Sequence, residues 1–278
     1  MSSPLTVTTG DRAELAVWVL GSDDADRCVV LLHGFSLDHS TWLPVAKSLA
    51  TEGYRIVIPD LRGHGRSSLG SVEPNLARMV EDVAAVIDSL EIPSVHLVGH
   101  SLGAVVALGA RTMLPQGRLR SVTSVAGTER SIQNPLMKLG ARFFSSRAGI
   151  KLLRRRGLGR LMISTWFGKK PDKAQLDWIR LLSADCPQIT RQRISDATSD
   201  IDLRDSFGMT GPPTLFAVGK RDQATPARIS TRMAAAVPGA TIEVFKDSGH
   251  MVLIEEPQAL ARRLHTWFDD VEGRTQRR

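Results

Sequence analysis

The stretch Val95-His96-Leu97-Val98-Gly99-His100-Ser101-Leu102-Gly103 decides the fold of this chain. Its first four residues are typical of a buried strand, and the residues from Leu102 onward repeat apolar positions at helical spacing. A serine between such a strand and such a helix occupies a strained turn in which flanking side chains would clash, so both neighbours must be glycine. Gly99 and Gly103 meet this requirement. The pattern predicts that Ser101 is a nucleophile; the alternative is a tight packing turn.

The composition is that of an ordinary globular chain, with 42% hydrophobic and 23% charged residues among 278. No apolar run approaches the roughly 20 residues that a membrane span needs, and the first residues do not form a secretory signal. The chain contains two cysteines, Cys28 and Cys186, which fits a reducing compartment better than a disulfide framework. We therefore expect a cytoplasmic protein without a metal, a cofactor or a nucleic-acid partner.

Short apolar runs alternate with amphipathic helical patterns along most of the chain. This alternation predicts an α/β fold in which a mostly parallel sheet carries helices on both faces. The predicted buried strands are Cys28 to Leu32, Arg55 to Ile58, Val95 to Val98, Ser121 to Val125, Thr214 to Val218 and Thr241 to Phe245. Two more polar runs, Leu5 to Thr8 and Leu15 to Leu20, could add an antiparallel edge.

The alternation is interrupted between Val125 and Pro212, where the pattern favours helices. The predicted helices are roughly Pro135 to Arg156, Arg160 to Phe167, Lys173 to Ala184 and Gln188 to Ser199. Because the strands resume afterwards, we predict a helical cap of residues 129–204 over the carboxyl ends of the strands. The core would then consist of residues 1–128 and 205–278.

Besides the Ser101 pentapeptide, four stretches resemble motifs of the α/β-hydrolase superfamily, in the order that the family has them. They are Leu32-His33-Gly34-Phe35, Pro59-Asp60-Leu61-Arg62-Gly63-His64-Gly65-Arg66-Ser67, Gly219-Lys220-Arg221-Asp222-Gln223-Ala224-Thr225-Pro226 and Ser248-Gly249-His250. They are similar to the oxyanion loop, the turn after the fourth strand, the acid loop and the histidine loop. The resemblance covers essentially the whole chain. It implies an eight-stranded sheet and a capped serine hydrolase of the esterase or lipase type.

A serine nucleophile needs a base within hydrogen-bond reach and an acid that orients this base. His250 follows the last predicted strand and is the predicted base, in preference to the other six histidines; the alternative is a histidine of a surface loop. Asp222 is the predicted acid, because it completes the chain order serine, aspartate, histidine that this fold requires. Glu129, which follows an earlier strand, is the rival acid. Asp222 could otherwise cap a helix.

The oxyanion hole is predicted to consist of the backbone N–H groups of Phe35 and Leu102. Phe35 could equally line the substrate pocket. Four further side chains are predicted to line this pocket: Trp42, Trp166, Phe167 and Met251. The alternative is that these aromatic residues belong to the core, since aromatic residues at helical spacing usually do.

A serine nucleophile suits acyl chemistry and argues against the carbon–halogen and epoxide reactions that capped relatives perform with an aspartate. We expect a hydrolase of carboxylic esters with an apolar acyl or lipid-like substrate. The same triad could instead carry out acyl transfer, thioester hydrolysis or the perhydrolysis of cofactor-free haloperoxidase-like relatives. A further alternative, from a different class, is a non-catalytic ligand-binding protein on a hydrolase scaffold.

Residues 131–171 contain ten basic residues and no acidic one, whereas the formal net charge of the whole chain is +7. Apolar residues are interleaved with these cations at roughly helical spacing between Leu136 and Leu153. A basic amphipathic helix predicts contact with an anionic membrane surface or with an acidic partner such as an acyl-carrier domain. The protein would then lie peripherally on a membrane. The alternative is a cap helix whose basic face is merely solvated.

Overall fold

The computed structural model describes the backbone of residues 3–131 and 135–275, and the side chains of the same residues except 135–137, 274 and 275. Its strands are β1 (Leu5–Thr8), β2 (Glu14–Leu20), β3 (Cys28–Leu32), β4 (Arg55–Pro59), β5 (Val95–His100), β6 (Leu119–Val125), β7 (Thr214–Gly219) and β8 (Thr241–Phe245). They form one sheet in the order β1-β2-β4-β3-β5-β6-β7-β8. From β4 to β8 in that order every pair is parallel, while β1 and β2 form an antiparallel edge. The predicted sheet is confirmed.

Helices cover both faces of the sheet. They are α1 (Leu43–Thr51), α2 (Leu76–Ser89), α3 (Leu102–Met113), α4 (Pro135–Phe144), α5 (Arg147–Arg154), α6 (Arg156–Ser164), α7 (Lys173–Asp185), α8 (Gln188–Ala197), α9 (Arg204–Phe207), α10 (Ala227–Ala236), α11 (Val252–Glu255) and α12 (Pro257–Thr275). Successive residues of β3 belong to different apolar clusters, since Val30 packs with residues of α2 and α3 and Leu31 with residues of α1 and α12. This alternation explains why β3 is apolar throughout.

The helices α4 to α9 lie between β6 and β7 and form a helical insertion. Its two ends are adjacent, because Arg130 and Asp202 form an antiparallel bridge and the Leu203 N–H donates to the Glu129 carbonyl at 2.7 Å. The chain therefore leaves and re-enters the sheet layer at one place. This geometry supports a helical cap of about residues 129–204. The division of the chain into a cap and a core at these residues stays a prediction.

The single helix predicted from Pro135 to Arg156 is wrong, because the chain turns between α4 and α5. Ser146 begins α5 as its N-cap, and its hydroxyl accepts a hydrogen bond from the Gly149 N–H at 3.1 Å. A Cβ on Gly149 would lie 2.2 Å from the Phe143 carbonyl oxygen, so only glycine permits this close turn. Helical periodicity continues across the break and therefore does not reveal it.

Arg191 on α8 links the C-terminal ends of two helices of the insertion. Its buried guanidinium donates to the carbonyls of Phe144 at 3.1 Å, of Cys186 at 3.3 Å and of Ser183. These carbonyls lie at the C-terminal ends of α4 and α7, where carbonyl groups lack helical partners and the helix dipole favours a cation. The arginine thus replaces water at both helix ends.

The structure bears on the expected reducing compartment and on the expected lack of a membrane span. Both cysteines are buried and free, and burial raises the pKa of each thiol to about 11. Within residues 3–131 and 135–275, none of the helices combines the length and the apolar character that crossing a bilayer requires. The cytoplasmic location stays a prediction.

The junction of α5 and α6 offers a test with a matched control in the same helix. A Cβ on Gly159 would lie 2.2 Å from the Leu153 carbonyl oxygen, whereas a Cβ on Gly157 meets nothing within 4 Å. We expect Gly159→Ala to lower the free energy of unfolding by about 1–3 kcal/mol. Gly157→Ala should leave it unchanged or raise it by up to about 1 kcal/mol. Urea unfolding measures both, and equal effects would contradict the packing of this junction.

Candidate active site

Ser101 occupies the sharp turn between β5 and α3. Its backbone has φ 52° and ψ −111°, a conformation that side-chain-bearing residues rarely adopt. A Cβ on Gly99 would lie 2.0 Å from the Gly103 carbonyl oxygen, and one on Gly103 would lie 2.4 Å from the Leu32 carbonyl oxygen. Both glycines are therefore required sterically, as the sequence pattern predicts. The turn leaves the Ser101 side chain half-buried at the wall of a cleft.

His250 and Asp222 form a hydrogen-bonded pair beside this turn. His250 Nδ1 lies 2.9 Å from Asp222 Oδ2. A carboxylate only accepts hydrogen bonds, so Nδ1 carries the proton and Nε2 is left free to accept one. The other carboxylate oxygen of Asp222 accepts from the backbone N–H groups of Ala224 at 2.8 Å and Thr225 at 2.9 Å. Hydrogen bonds to both carboxylate oxygens thus fix the orientation of Asp222.

The electrostatics of the pair keep the acid ionised. Burial alone would raise the pKa of the Asp222 carboxyl, but the charge and hydrogen bond of His250 and the hydrogen bonds from Thr225 lower this pKa below its usual value. The Thr225 hydroxyl contributes by donating to Asp222 Oδ2 at 2.7 Å. Sequence reasoning did not single out Thr225, although its place three residues after Asp222 in the acid loop was a usable signal.

Ser101 and His250 line the same cleft, yet no hydrogen bond joins the Ser101 hydroxyl to the imidazole within the residues that the structure describes. Contacts between a nucleophile and its base are often long without substrate and shorten when it binds. The structure therefore brings the three predicted residues to one place and directly pairs two of them.

His100 connects the turn of Ser101 to the loop of His250. Its Nε2–H donates to the His250 carbonyl at 2.9 Å, while its buried Nδ1 has no partner among the described residues. Burial and the neighbouring charge of His250 lower the pKa of His100 to about 3. The side chain is therefore a neutral donor that holds the backbone of the predicted base. Sequence reasoning missed this role, because the two residues lie far apart in the chain.

Glu255 on α11 joins the histidine loop to the helical insertion. Its carboxylate accepts from the backbone N–H groups of Gly249 at 2.7 Å, Gly168 at 2.7 Å and Lys169 at 3.1 Å. Burial raises the pKa of Glu255 in spite of these donors. Next to it, the His250 N–H donates to the Trp166 carbonyl at 2.7 Å. The position of the insertion is thus coupled to that of the predicted base.

Two backbone N–H groups near Ser101 are free to bind an anion. The N–H groups of Phe35 and Leu102 have no hydrogen-bond partner among the described residues. Gly34, which precedes Phe35, lies so close that its Cβ would be 3.3 Å from the Ser101 Cβ. The loop is held there because the Gly103 N–H donates to the His33 carbonyl at 3.1 Å. This geometry supports the predicted oxyanion hole.

Glu129, the rival acid, has a different partner. Its buried carboxylate forms an ion pair with Arg232, and one of its oxygens has no partner among the described residues. His250 bonds Asp222 instead. The geometry therefore favours Asp222 as the acid.

The cleft has a volume of about 540 Å³ and is mostly apolar. Of the predicted wall residues, Trp166 and Met251 line it, as does Phe35. Trp42 and Phe167 do not belong to the lining residues of the cleft. Trp42 is fully buried in the apolar cluster around α1, as in the alternative that places it in the core, and Phe167 packs against the same cluster. The insertion contributes wall residues that sequence reasoning missed, namely Gly140, Ala141, Phe144, Met162 and Thr165.

Most of the chain matches proteins of known sequence and structure. The family model described as the alpha/beta hydrolase family matches residues 29–263. The 3-oxoadipate enol-lactonase 1 of Acinetobacter baylyi is 27% identical over 91% of this chain and 92% of that protein. The pimeloyl-acyl-carrier-protein methyl ester esterase of Methylococcus capsulatus is 29% identical over 86% and 94%. An esterase from Exiguobacterium antarcticum has the same fold, with a TM-score of 0.85 at 24% identity over 96% and 99%.

The two candidate acids can be separated without an activity measurement. A proton held between an imidazole and a carboxylate gives a proton resonance at unusually low field. We expect Asp222→Asn to abolish the low-field resonance of His250 Nδ1–H, because an amide is a weaker acceptor than a carboxylate. Glu129→Gln should leave it in place. Loss of the resonance in Glu129→Gln alone would contradict the assignment of the acid.

Proposed function

This chain belongs to the alpha/beta hydrolase family, and from that premise we propose that it is a serine hydrolase that cleaves carboxylic esters of apolar acyl groups. The observation that carries the proposal is the meeting of Ser101 and the paired His250 and Asp222 at one cleft. The free N–H groups of Phe35 and Leu102 support it. The apolar wall of the cleft supports an apolar acyl group.

The proposed reaction begins when His250 Nε2 takes the proton of the Ser101 hydroxyl as the serine oxygen attacks the ester carbonyl carbon. The carbonyl oxygen becomes an anion, which the N–H groups of Phe35 and Leu102 stabilise. His250 then gives its proton to the departing alkoxide, and the acyl group remains on Ser101. Asp222 stays ionised throughout and stabilises the imidazolium.

Water completes the cycle. His250 Nε2 removes a proton from a water molecule while the water oxygen attacks the acyl carbon. The second oxyanion collapses, the bond to the Ser101 oxygen breaks, and His250 returns the proton to the serine. The products are a carboxylic acid and an alcohol, and the protein is regenerated.

The names of the similar proteins support the ester class. An enol-lactonase opens a cyclic ester, and a methyl ester esterase cleaves an open-chain one, although each name describes only the protein that carries it. Both reactions transfer an acyl group to water. This shared chemistry, rather than either substrate, supports the proposal for this chain.

A fluorophosphonate probe tests the nucleophile. We expect it to label the wild-type protein on Ser101 and to leave Ser101→Ala unlabelled, because only an activated serine reacts at a useful rate. Ser164→Ala, which changes a serine of α6 whose hydroxyl donates to the Leu161 carbonyl, should label like the wild type. Labelling that persists in Ser101→Ala would reject Ser101 as the nucleophile, and a wild type that never labels would favour a binding protein.

The apolar cleft predicts a dependence on acyl length. For p-nitrophenyl esters we expect kcat/KM to rise from the acetate by up to about fourfold per added methylene, since burying each CH₂ is worth about 0.8 kcal/mol. The rise should end where the chain outgrows the cavity of about 540 Å³. A series with the acetate as the best substrate would contradict an apolar acyl site.

A further inference from the structure

Helices α4 and α6 expose large apolar side chains to solvent. Leu161 is 65% exposed and Leu139 is 63% exposed, which are the highest values for large apolar side chains among the described residues. Phe143 is 45% exposed and Leu158 is 47% exposed on the same two helices. Leu139 and Phe143 share one face of α4, four residues apart, and Leu158 and Leu161 share one face of α6. Two such exposed apolar pairs, one on each helix, are typical of an interaction surface.

Cations surround these apolar side chains. Lys138 and Arg142 on α4, Lys151 on α5, and Arg155 and Arg156 at the start of α6 are exposed, and none has a carboxylate partner among the described residues. The insertion also contains cations that are neutralised. These pairs are Arg154 with Asp185, Arg160 with Asp177, and Lys169 with Asp247. The surface therefore retains a local positive charge as well as its apolar groups.

The same two helices form a wall of the cleft that contains Ser101. Gly140 follows Leu139 directly and lines the cleft, and Met162 follows Leu161 directly and lines it too. The exposed leucines and the wall residues thus lie on different faces of the same two helices. A surface that docked on these helices would hold the cleft close to it.

We propose that the exposed face of α4 and α6 docks this protein on anionic lipid membranes, from which the cleft takes an acyl lipid as its substrate. Each cation near an anionic bilayer strengthens binding about fivefold, and the exposed apolar side chains can enter the boundary between headgroups and acyl chains. An acidic protein would satisfy the cations but would not require four exposed apolar side chains on two helices. The combination favours a lipid surface.

The choice of lipid as substrate rests on the proposed function, whereas the docking itself does not. The two are separated by measuring vesicle binding and the hydrolysis of a soluble p-nitrophenyl ester on the same protein samples. Loss of ester hydrolysis with intact vesicle binding would reject only the proposed function. Loss of vesicle binding with intact ester hydrolysis would reject only the docking surface.

The test uses the full chain with vesicles of phosphatidylcholine alone or with equal parts of phosphatidylglycerol. A charge variant replaces Arg142, Arg155 and Arg156 with glutamine. Its matched control removes three exposed cations from the core helices by Lys47→Gln, Arg228→Gln and Arg262→Gln. An apolar variant carries Leu139→Ser and Leu161→Ser, and its control carries Leu5→Ser and Met113→Ser, which change side chains that are each 49% exposed.

We expect co-sedimentation with the anionic vesicles and little with phosphatidylcholine alone. The charge variant should bind roughly a hundredfold more weakly, the apolar variant roughly tenfold or more, and both controls like the wild type. All variants should hydrolyse the soluble ester at the wild-type rate, which also shows that they fold. An equal loss of vesicle binding in a variant and its control would overturn the proposal. So would a wild type that does not bind the anionic vesicles. Binding to an acidic acyl-carrier protein but not to vesicles would overturn it in favour of a protein partner.

Discussion

The backbone of Ser101 is held at a positive φ, and the rest of the site depends on this constraint. A residue in such a conformation costs about 1–3 kcal/mol and persists only when its surroundings enforce it. Here β3, β5 and α3 enforce it, because a Cβ on Gly99 would collide with the Gly103 carbonyl oxygen of α3, and a Cβ on Gly103 would collide with the Leu32 carbonyl oxygen of β3. The turn leads directly into α3, whose first N–H, that of Leu102, has no partner within the helix. The strained turn thus places the serine beside an N–H group that can bind an anion.

The candidate base is held by contacts from three directions. His100 donates to its carbonyl from the nucleophile turn, Trp166 accepts from its N–H in the insertion, and Asp222 bonds its ring. Glu255 adds backbone contacts to both the insertion and the histidine loop. Because one carboxylate bridges these two segments, a displacement of the insertion would also move the base.

The sequence predicts the parts of this structure that depend on local rules. Glycine spacing around Ser101, the apolar runs and the order of the loops predict the sheet and the meeting of Asp222 with His250. The sequence does not reveal His100 or Glu255 as positioning groups, because the His250 carbonyl lies 150 residues from His100 and the Gly168 N–H lies 87 residues from Glu255. Trp42 shows another limit: a large apolar side chain fits a pocket wall and a core equally well until its neighbours are known.

The most direct test of the account is to trap the covalent intermediate. Rapid mixing with p-nitrophenyl butyrate, an acid quench and peptide mass mapping should find the butyryl group on the peptide that contains Ser101. A burst of p-nitrophenolate close to one per protein molecule should accompany it, and Asp222→Asn should slow the burst. A butyryl group on a different residue would contradict Ser101 as the nucleophile. So would a Ser101→Ala variant that hydrolyses the ester as fast as the wild type.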